Sequence, residues 1–144
     1  MTAEVERDLV GGVVQLANLL TRHLAPVFAK ARVTPQQWAI LSAIERVDGT
    51  MTLAALARAM LVSKQNMTGM MVRLEQLGLA ERNDDPNDLR SSRVTLTRRG
   101  RNTLEKLRPA YEQWRTTLGN DVSEHDLATA ARTIEKLIEN LTVR

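Results

Sequence analysis

Residues 63–77 constrain the possible fold more than any other stretch of this sequence. The apolar residues in this segment fall three or four positions apart, which is the spacing of one stripe on an amphipathic α-helix. They are Met67, Met70, Met71, Leu74 and Leu77. Ser63 is a favourable N-cap residue, and Gly78 stands where a helix commonly ends in the left-handed conformation. The segment is therefore predicted to form a helix with one face in the core.

The opposite face of this predicted helix has an unusual composition. It carries amide, hydroxyl and basic groups, whereas a merely solvated face is usually rich in charges. Its residues are Gln65, Thr68, Gly69, Val72 and Gln76, with Lys64, Asn66 and Arg73 at the margins. Amide side chains can bond adenine, and Lys or Arg can bond guanine or phosphate. Gly69 costs the helix about 1 kcal/mol relative to alanine, which indicates close approach by another molecule; an ordinary surface helix is the alternative.

The excess positive charge of the chain lies in its middle third. Residues 1–51 carry five basic and five acidic side chains, residues 52–101 carry nine and five, and residues 102–144 carry six and seven. Five arginines and no acid lie between positions 90 and 101. A localised basic patch is typical of a protein that binds a polyanion, so the charge distribution favours nucleic acid as the partner.

Composition limits the remaining classes of protein. The 144 residues fit one domain with a real core, which aliphatic side chains must fill because aromatic residues make up only 3%. The chain has no cysteine, which excludes disulfides, thiolate metal sites and thiol redox sensing. No segment is apolar enough to span a membrane, and the first residues lack a signal-peptide pattern. We therefore expect a cytoplasmic protein that does not enter a membrane.

Apolar periodicity predicts two helices ahead of this middle third. The first covers residues 4–29, and Pro26 is expected to kink or end it. The second runs to about residue 47 and begins at Thr34-Pro35, an N-cap residue followed by proline at the first helical position. These elements make the chain mainly α-helical.

The middle third then reads as a winged helix-turn-helix. Thr52 caps a short helix, 53–60, which a tight turn joins to the amphipathic helix described above. Two short strands, 79–82 and 93–97, flank a run of turn-forming residues. The predicted fold class is therefore mainly α with a small β-hairpin wing, and the tip of the hairpin carries Arg90.

The two ends of the chain are predicted to form a dimerisation region. The N-terminal helix has an apolar stripe, and two further apolar helices follow the wing with a break at residues 119–122. Apolar helices with no remaining chain to cover them indicate a partner subunit; the alternative is that they cover each other within one monomer. The residues assigned to the dimer contact are Val5, Leu9, Leu118, Ile134, Leu137 and Leu141.

Other functional classes find less support in the residues. Asp84, Asp85 and Asp88 cluster in the predicted turn, but neither His23 nor His125 is close to them in sequence, so no metal or catalytic motif is formed. We predict neither an enzyme nor a bound cofactor or metal. A winged helix used only for protein contacts is the remaining alternative, although it would not need the five arginines on and after the wing.

Residues 53–100 resemble the multiple antibiotic resistance regulator (MarR) family of bacterial transcription factors. The motifs that carry the resemblance are Leu-Gly-Leu-Ala-Glu-Arg at 77–82, Asp85-Pro86, Asp88-x-Arg90-Ser91 and Val94-x-Leu96-Thr97-x-x-Gly100. The segment TPQQWAILSAI extends the resemblance over nearly the whole chain. It implies one protomer over residues 1–144, with a DNA-binding part at 35–100 and dimerisation helices at 1–30 and 101–144. Pro109 departs from the family, whose long fifth helix should span this position.

The resemblance also implies how such a protein acts. A homodimer would place its two recognition helices in successive major grooves of an inverted-repeat operator, most often as a repressor. Arg90 would enter the minor groove, held by Asp88. The residues assigned to double-stranded DNA are Ser63, Lys64, Gln65, Asn66, Thr68, Gly69, Arg73, Asp88, Arg90, Ser91 and Arg93.

A small-molecule effector is a further implication of the resemblance. Family members commonly release DNA when an aromatic or anionic molecule binds between the dimerisation and DNA-binding regions. His23 and Trp38 are the candidate ligand-binding residues. Core packing for Trp38 and a surface position for His23 are the alternatives.

Overall fold

The computed structural model describes residues 3–48 and 50–142, without the side chains of residues 3–7, Leu89 and Arg90. In chain order the elements are α1 (Ala3–Ala29), α2 (Pro35–Arg46), β1 (Thr50–Thr52), α3 (Leu53–Ala59), α4 (Lys64–Gln76), β2 (Ala80–Asp85), β3 (Asp88–Leu96), α5 (Arg98–Leu118) and α6 (Glu124–Thr142). The chain divides into two compact units, residues 1–108 and 109–144. The fold class is as predicted, six helices with one small antiparallel sheet.

Helix α2 begins at the predicted N-cap. The Thr34 hydroxyl accepts a hydrogen bond from the Gln37 backbone N–H at 3.1 Å, and the Gln37 side chain accepts one from the Thr34 N–H at 2.9 Å. This reciprocal pair satisfies two backbone donors that the first turn would otherwise leave free. Pro35 fills the first helical position, where its missing N–H costs nothing.

Helices α3 and α4 form the predicted helix-turn-helix. Thr52 and Ser63 cap them, each accepting a bond from the backbone N–H three residues on. The turn between them bends at Leu61, which adopts a positive φ of 56°. On α4, Met67, Met71 and Leu74 are fully buried, while Met70 and Leu77 are half-buried. The predicted stripe therefore does pack into the core of the first unit.

The sheet is larger than the predicted hairpin. It has three strands in the order β1-β3-β2, and β1, which the sequence analysis did not predict, pairs Thr50 with Thr95 and Thr52 with Arg93. Strands β2 and β3 extend through most of the predicted turn, so that only residues 86–87 connect them. The prediction that Arg90 stands at the hairpin tip was wrong, because this residue lies in β3. Cross-strand pairing of Asn83 with Arg93 and of Asp84 with Ser92 overrode the turn propensity of these polar residues.

The exit of α4 is fastened to the start of α5 by a short hydrogen-bond network. The Thr97 hydroxyl donates to the Gly78 carbonyl oxygen at 2.6 Å and accepts from the Gly100 N–H at 3.0 Å. The Thr97 N–H donates to the Leu79 carbonyl oxygen at 3.2 Å. Gly78 has φ of 73°, as expected for the residue after a helix. One threonine thus caps α5 and fixes the end of α4 at the same time.

Both internal prolines lie inside helices rather than at their ends. Pro26 was expected to kink or end α1, and it does not end the helix, which continues to Ala29. Helix α5 likewise includes Pro109, and the boundary between the two compact units falls immediately before this residue. A proline removes one backbone hydrogen bond from a helix interior, and the surrounding turns here retain helical geometry despite that loss.

The second unit contains the end of α5, the predicted break and α6. Residues 119–123 form a turn in which Asp121 has φ of 59°, and the Ser123 hydroxyl accepts a bond from the Asp126 N–H at 3.0 Å. Tyr111 and Trp114 stack with ring centroids 6.2 Å apart. No described residue of α6 is buried in the single chain.

Candidate nucleic-acid interface

The outer face of α4 is open to solvent from its first turn to its last. Ser63 is held as the N-cap, and Lys64, Gln65 and Asn66 project from the first turn, where they are exposed. Val72 is 38% exposed, and Arg73 and Gln76 are also on the surface. The first turn contains no acidic residue. The free backbone N–H groups and positive dipole end of a helix favour an anion at such an N-terminus.

Gly69 lies at the centre of this open face. Apart from its chain neighbours and the nearby backbone of its own helix, a Cβ added to it would have no heavy atom of the described residues within 4 Å. No packing inside the chain therefore requires glycine at this position, although glycine weakens a helix interior. Thr68 beside it donates its hydroxyl to the Lys64 carbonyl oxygen at 2.9 Å, so this hydroxyl is already engaged within the helix.

The wing contains a bulge at the position of Arg90. Asp84 pairs with Ser92, but the next residue, Asp85, pairs with Asp88, so residues 89–91 of β3 are extra in the ladder. Bulges of this kind redirect side chains and twist the strand locally. The Arg90 side chain itself lies outside the described residues. Its backbone position places it in the bulge, beside the two-residue turn.

The buried carboxylate of Asp85 contacts several residues of the wing. Its Oδ1 accepts a hydrogen bond from the Asn87 N–H at 2.9 Å, and its Oδ2 accepts one from the Ser91 hydroxyl at 3.2 Å. The Arg93 guanidinium lies 3.7 Å from the same Oδ2. The backbone bond from Asn87, followed by Ser91 and Arg93, lowers the pKa of Asp85 despite its partial desolvation. These bonds connect both sides of the bulge to one residue of β2.

Ser91 and Arg93, two of the predicted DNA-binding residues, therefore have partners within the wing. Besides its contact with Asp85, Arg93 donates from Nε to the Thr50 hydroxyl of β1 at 3.3 Å. Arg101, another member of the predicted basic run, donates from Nη1 to the Leu96 carbonyl oxygen at 3.2 Å. The five arginines thus do not form one uniform patch, because two of them support the sheet.

The structure places the two candidate ligand residues in different settings. Trp38 is half-buried, and its ring stacks on Phe28 with centroids 4.9 Å apart, which fits the core-packing alternative. His23 is exposed on α1. Among the described residues, no group of three His, Cys, Asp or Glu side chains could hold a metal ion. None of the described helices is long and apolar enough to cross a membrane.

The residues assigned to dimerisation are exposed wherever the structure describes them. On α1, Leu9 is 40% exposed, and its neighbours on the apolar stripe are similarly open. On α6, Ile134 is 47% and Leu141 85% exposed, and Leu137 is half-buried. Leu118 at the end of α5 is 47% exposed. The side chain of Val5 lies outside the described residues.

The sequence analysis did not identify Asp85 and Thr50 as functional residues, although both support this surface. Asp85 was interpreted as turn chemistry, and its spacing from Asn87 does signal an Asx turn, but nothing in the sequence indicates its bonds to Ser91 and Arg93. Thr50 belongs to a strand of only three residues, too short for alternation to reveal it. Both contacts arise from strand pairing.

Comparison with known proteins identifies relatives of the chain. A protein-family model described as the MarR family matches residues 33–91. The transcriptional activatory protein BadR of Rhodopseudomonas palustris is 32% identical over 141 residues, a match that covers 96% of this chain and 81% of BadR. The similarity to BadR thus extends over the helices on both sides of the region that the family model matches.

Solved structures show the same fold. AbsC, a MarR family transcriptional regulator from Streptomyces coelicolor, superposes with a TM-score of 0.87 at 22% identity, over 98% of this chain and 97% of AbsC. A mutant MarR from E. coli, complexed with operator DNA, superposes with a TM-score of 0.80 at 24% identity, over 95% of this chain and 99% of that one.

Proposed function

We propose a mechanism of DNA reading from one established premise: the chain belongs to the MarR family of DNA-binding transcriptional regulators. In this mechanism the outer face of α4 enters the major groove, where Gln65 and Asn66 contact base edges, Lys64 contacts phosphate, and the wing places Arg90 in the adjacent minor groove. The observation that carries the proposal is the open face of α4, which has glycine at its centre although no packing contact among the described residues requires it.

A homodimer is the second part of the proposal. The apolar stripes of α1 and α6 are both exposed in the single chain, and apolar faces of this extent support a partner subunit. A two-fold pair presents two identical α4 faces, so the DNA site should have the same symmetry. Residues 35–100 then form the reading part, and residues 1–30 and 101–144 the dimer contact.

The direction of regulation and its control complete the proposal. We propose repression, although BadR, which aligns along nearly the whole chain, is named an activator; the position of the operator relative to the promoter decides between the two outcomes. A small aromatic or anionic effector, with His23 and Trp38 as contacts, releases the protein from DNA in this proposal. The proposed location of the protein is the cytoplasm.

The symmetry of the DNA site tests the dimer directly. Duplexes selected by the full chain from a random pool should contain an inverted repeat with half-site centres about one helical turn, roughly 10 bp, apart. Footprinting and the mass of the complex should both report two subunits per site. A single asymmetric half-site bound by a monomer would rule out the dimer, and no selected sequence at all would favour a protein-contact role.

The two kinds of contact on α4 can be separated by mutation. Gln65→Ala should relax base preference at one position of the selected site at a cost of about 1–3 kcal/mol. Arg73→Gln should instead weaken binding to all sequences equally and reduce the salt slope by about one unit. Binding isotherms at several salt concentrations, on the selected duplex and its single-base variants, measure both effects. An unchanged base preference in Gln65→Ala would mean that α4 presents another face to DNA.

A further inference from the structure

The turn between α3 and α4 holds a leucine in a backbone conformation that glycine usually adopts. The Leu61 N–H donates to the Arg58 carbonyl oxygen at 3.2 Å. The Val62 N–H donates to the Ala57 carbonyl oxygen at 3.0 Å. These two bonds form a Schellman motif, in which the first residue beyond the helix is left-handed. Leu61 takes that position with φ of 56°, where the Cβ of an L-residue is strained.

The end of α4 has the same motif with glycine in the left-handed position. The Gly78 N–H donates to the Glu75 carbonyl oxygen at 2.9 Å, and Gly78 has φ of 73°. The Leu79 N–H donates to the Leu74 carbonyl oxygen at 3.0 Å. Among the described residues, Leu61 is the only apolar one besides glycine with a positive φ. The backbone geometry of the turn therefore does not explain a leucine at this position.

Packing inside the chain does not explain Leu61 either. Its side chain is 59% exposed. Val62, which is half-buried, stands at the position whose side chain commonly makes the apolar contact of a Schellman motif. Strained residues cluster at sites where a protein contacts a ligand. A leucine that is both strained and exposed therefore indicates contact with another molecule.

The surroundings of Leu61 favour DNA as that molecule. Leu61 lies three residues before Lys64, the first residue of α4, so their Cα atoms are at most about 11 Å apart. Arg58 and Lys64 are exposed on either side of the turn, and residues 49–74 include no acidic side chain. This basic setting suits a polyanion better than an apolar surface of another protein. The turn is also continuous with the face of α4 that is proposed to read bases.

The major groove offers one apolar group to a leucine. This is the 5-methyl group of thymine, which distinguishes a T·A pair from the other base pairs. A phosphate group, in contrast, makes no favourable interaction with an aliphatic side chain. Contact between a leucine and this methyl group would add sequence information that the amide side chains of α4 do not supply.

We propose that Leu61 is a specificity-determining residue that packs on the 5-methyl group of a thymine in each half-site. The inference rests on the proposed function, because α4 must enter the major groove for the preceding turn to reach a base edge. The strained turn then holds the leucine beside Gln65 and Asn66, so that one apolar contact accompanies their hydrogen bonds.

The test removes single methyl groups from the duplex that the full chain selects. Replacing one thymine with deoxyuridine deletes the methyl group and leaves base pairing intact. Binding should weaken about fourfold at one particular thymine of a half-site, which is the loss expected for one buried methyl group. Binding isotherms at constant salt concentration measure the effect at each thymine in turn.

Two substitutions at Leu61 separate the apolar contact from the backbone strain. Leu61→Ala keeps the Cβ and removes the rest of the side chain, so it should bind the thymine and deoxyuridine duplexes equally. Leu61→Gly should lose the same discrimination but melt at a higher temperature than Leu61→Ala, because only glycine relieves the left-handed strain. Val47→Ala is the matched control, since Val47 is 43% exposed in the same compact unit. It should keep the wild-type discrimination.

Several results would overturn the proposal. One is a selected half-site without thymine, and another is a wild-type chain that is indifferent to every methyl group. Methyl dependence that persists in both Leu61 variants would assign the contact to a different residue. Equal weakening on all duplexes would indicate a contact that carries no sequence information, and a changed subunit number would indicate contact with a second copy of the chain. These results would leave DNA reading by α4 in place, whereas failure to select any sequence would contradict the proposed function itself.

Discussion

Replacing Arg90 with alanine should weaken binding to the selected duplex by tenfold or more, on the order of 1.4 kcal/mol. A solvated arginine contributes almost nothing to stability, whereas in a narrow A·T-rich minor groove it meets an enhanced negative potential. The bulge at residues 89–91 places this residue beside the wing turn. We therefore expect the melting temperature and the subunit number to stay as in the wild type while the binding isotherm shifts.

Further substitutions at and near Arg90 test whether the loss of duplex affinity comes from a guanidinium group held in a fixed position. Arg90→Lys should recover only part of the affinity, since lysine lacks the planar fork. Asp88→Ala should reproduce the defect in milder form if Asp88 orients the arginine. Asp85→Ala should also weaken binding, because it removes the bonds that hold Asn87 and Ser91 on either side of Arg90. Unchanged affinity in Arg90→Ala would remove the wing from the mechanism, and a collapsed thermal melt would make the residue structural.

The Asp85 carboxylate should make the wing sensitive to acid. Its pKa is lowered in the folded chain by the Asn87 N–H, and by Ser91 and Arg93. A group with a depressed folded pKa stabilises the fold above its unfolded pKa, and this contribution is lost as the pH falls through the folded value. At neutral pH the Asp85 carboxylate therefore makes its full stabilising contribution to the wing.

Gly100→Ala should lower the free energy of unfolding by about 3 kcal/mol, the upper part of the range for an overpacked site. A Cβ on Gly100 would collide with the Leu79 carbonyl oxygen, which belongs to the backbone and already accepts a hydrogen bond from the Thr97 N–H. Neither group can move away without breaking the connection between α4 and α5. Thermal unfolding should show a fall of roughly 10 °C for a chain of this size.

Gly69→Ala is the matched control for this substitution. It makes the same change in a helix, but the new methyl group meets no described atom within 4 Å. We expect it to stabilise the chain by up to about 1 kcal/mol through helix propensity. The same methyl group should weaken duplex binding, since it lies on the proposed reading face. Destabilisation equal to that of Gly100→Ala would contradict the packing argument, and unaltered affinity would remove the reason for glycine at this position.

The sequence by itself determined the helices of this protein and their ends. Caps such as Thr34, Thr52 and Ser63 act on the backbone a few residues away, so their effect is local and can be predicted directly from the sequence. The apolar stripe of α4 has a fixed period, and Met67, Met71 and Leu74 are buried as that period requires. The amide-rich face of α4 pointed to DNA for the same reason, since adjacent turns of one helix present their side chains together.

The tertiary structure alone decided what depends on pairing between distant segments. Strand β1 exists because Thr50 and Met51 pair with β3, more than forty positions away, and its three residues carry no period of their own. The bulge that holds Arg90 and the contacts of Asp85 with Ser91 and Arg93 likewise join residues whose separation along the chain sets no distance between them. Gly100 is required only because the Leu79 carbonyl oxygen lies against it. Helix caps and helix faces depend on residues that are neighbours in the sequence. Contacts between separate helices and strands are fixed only when the core packs.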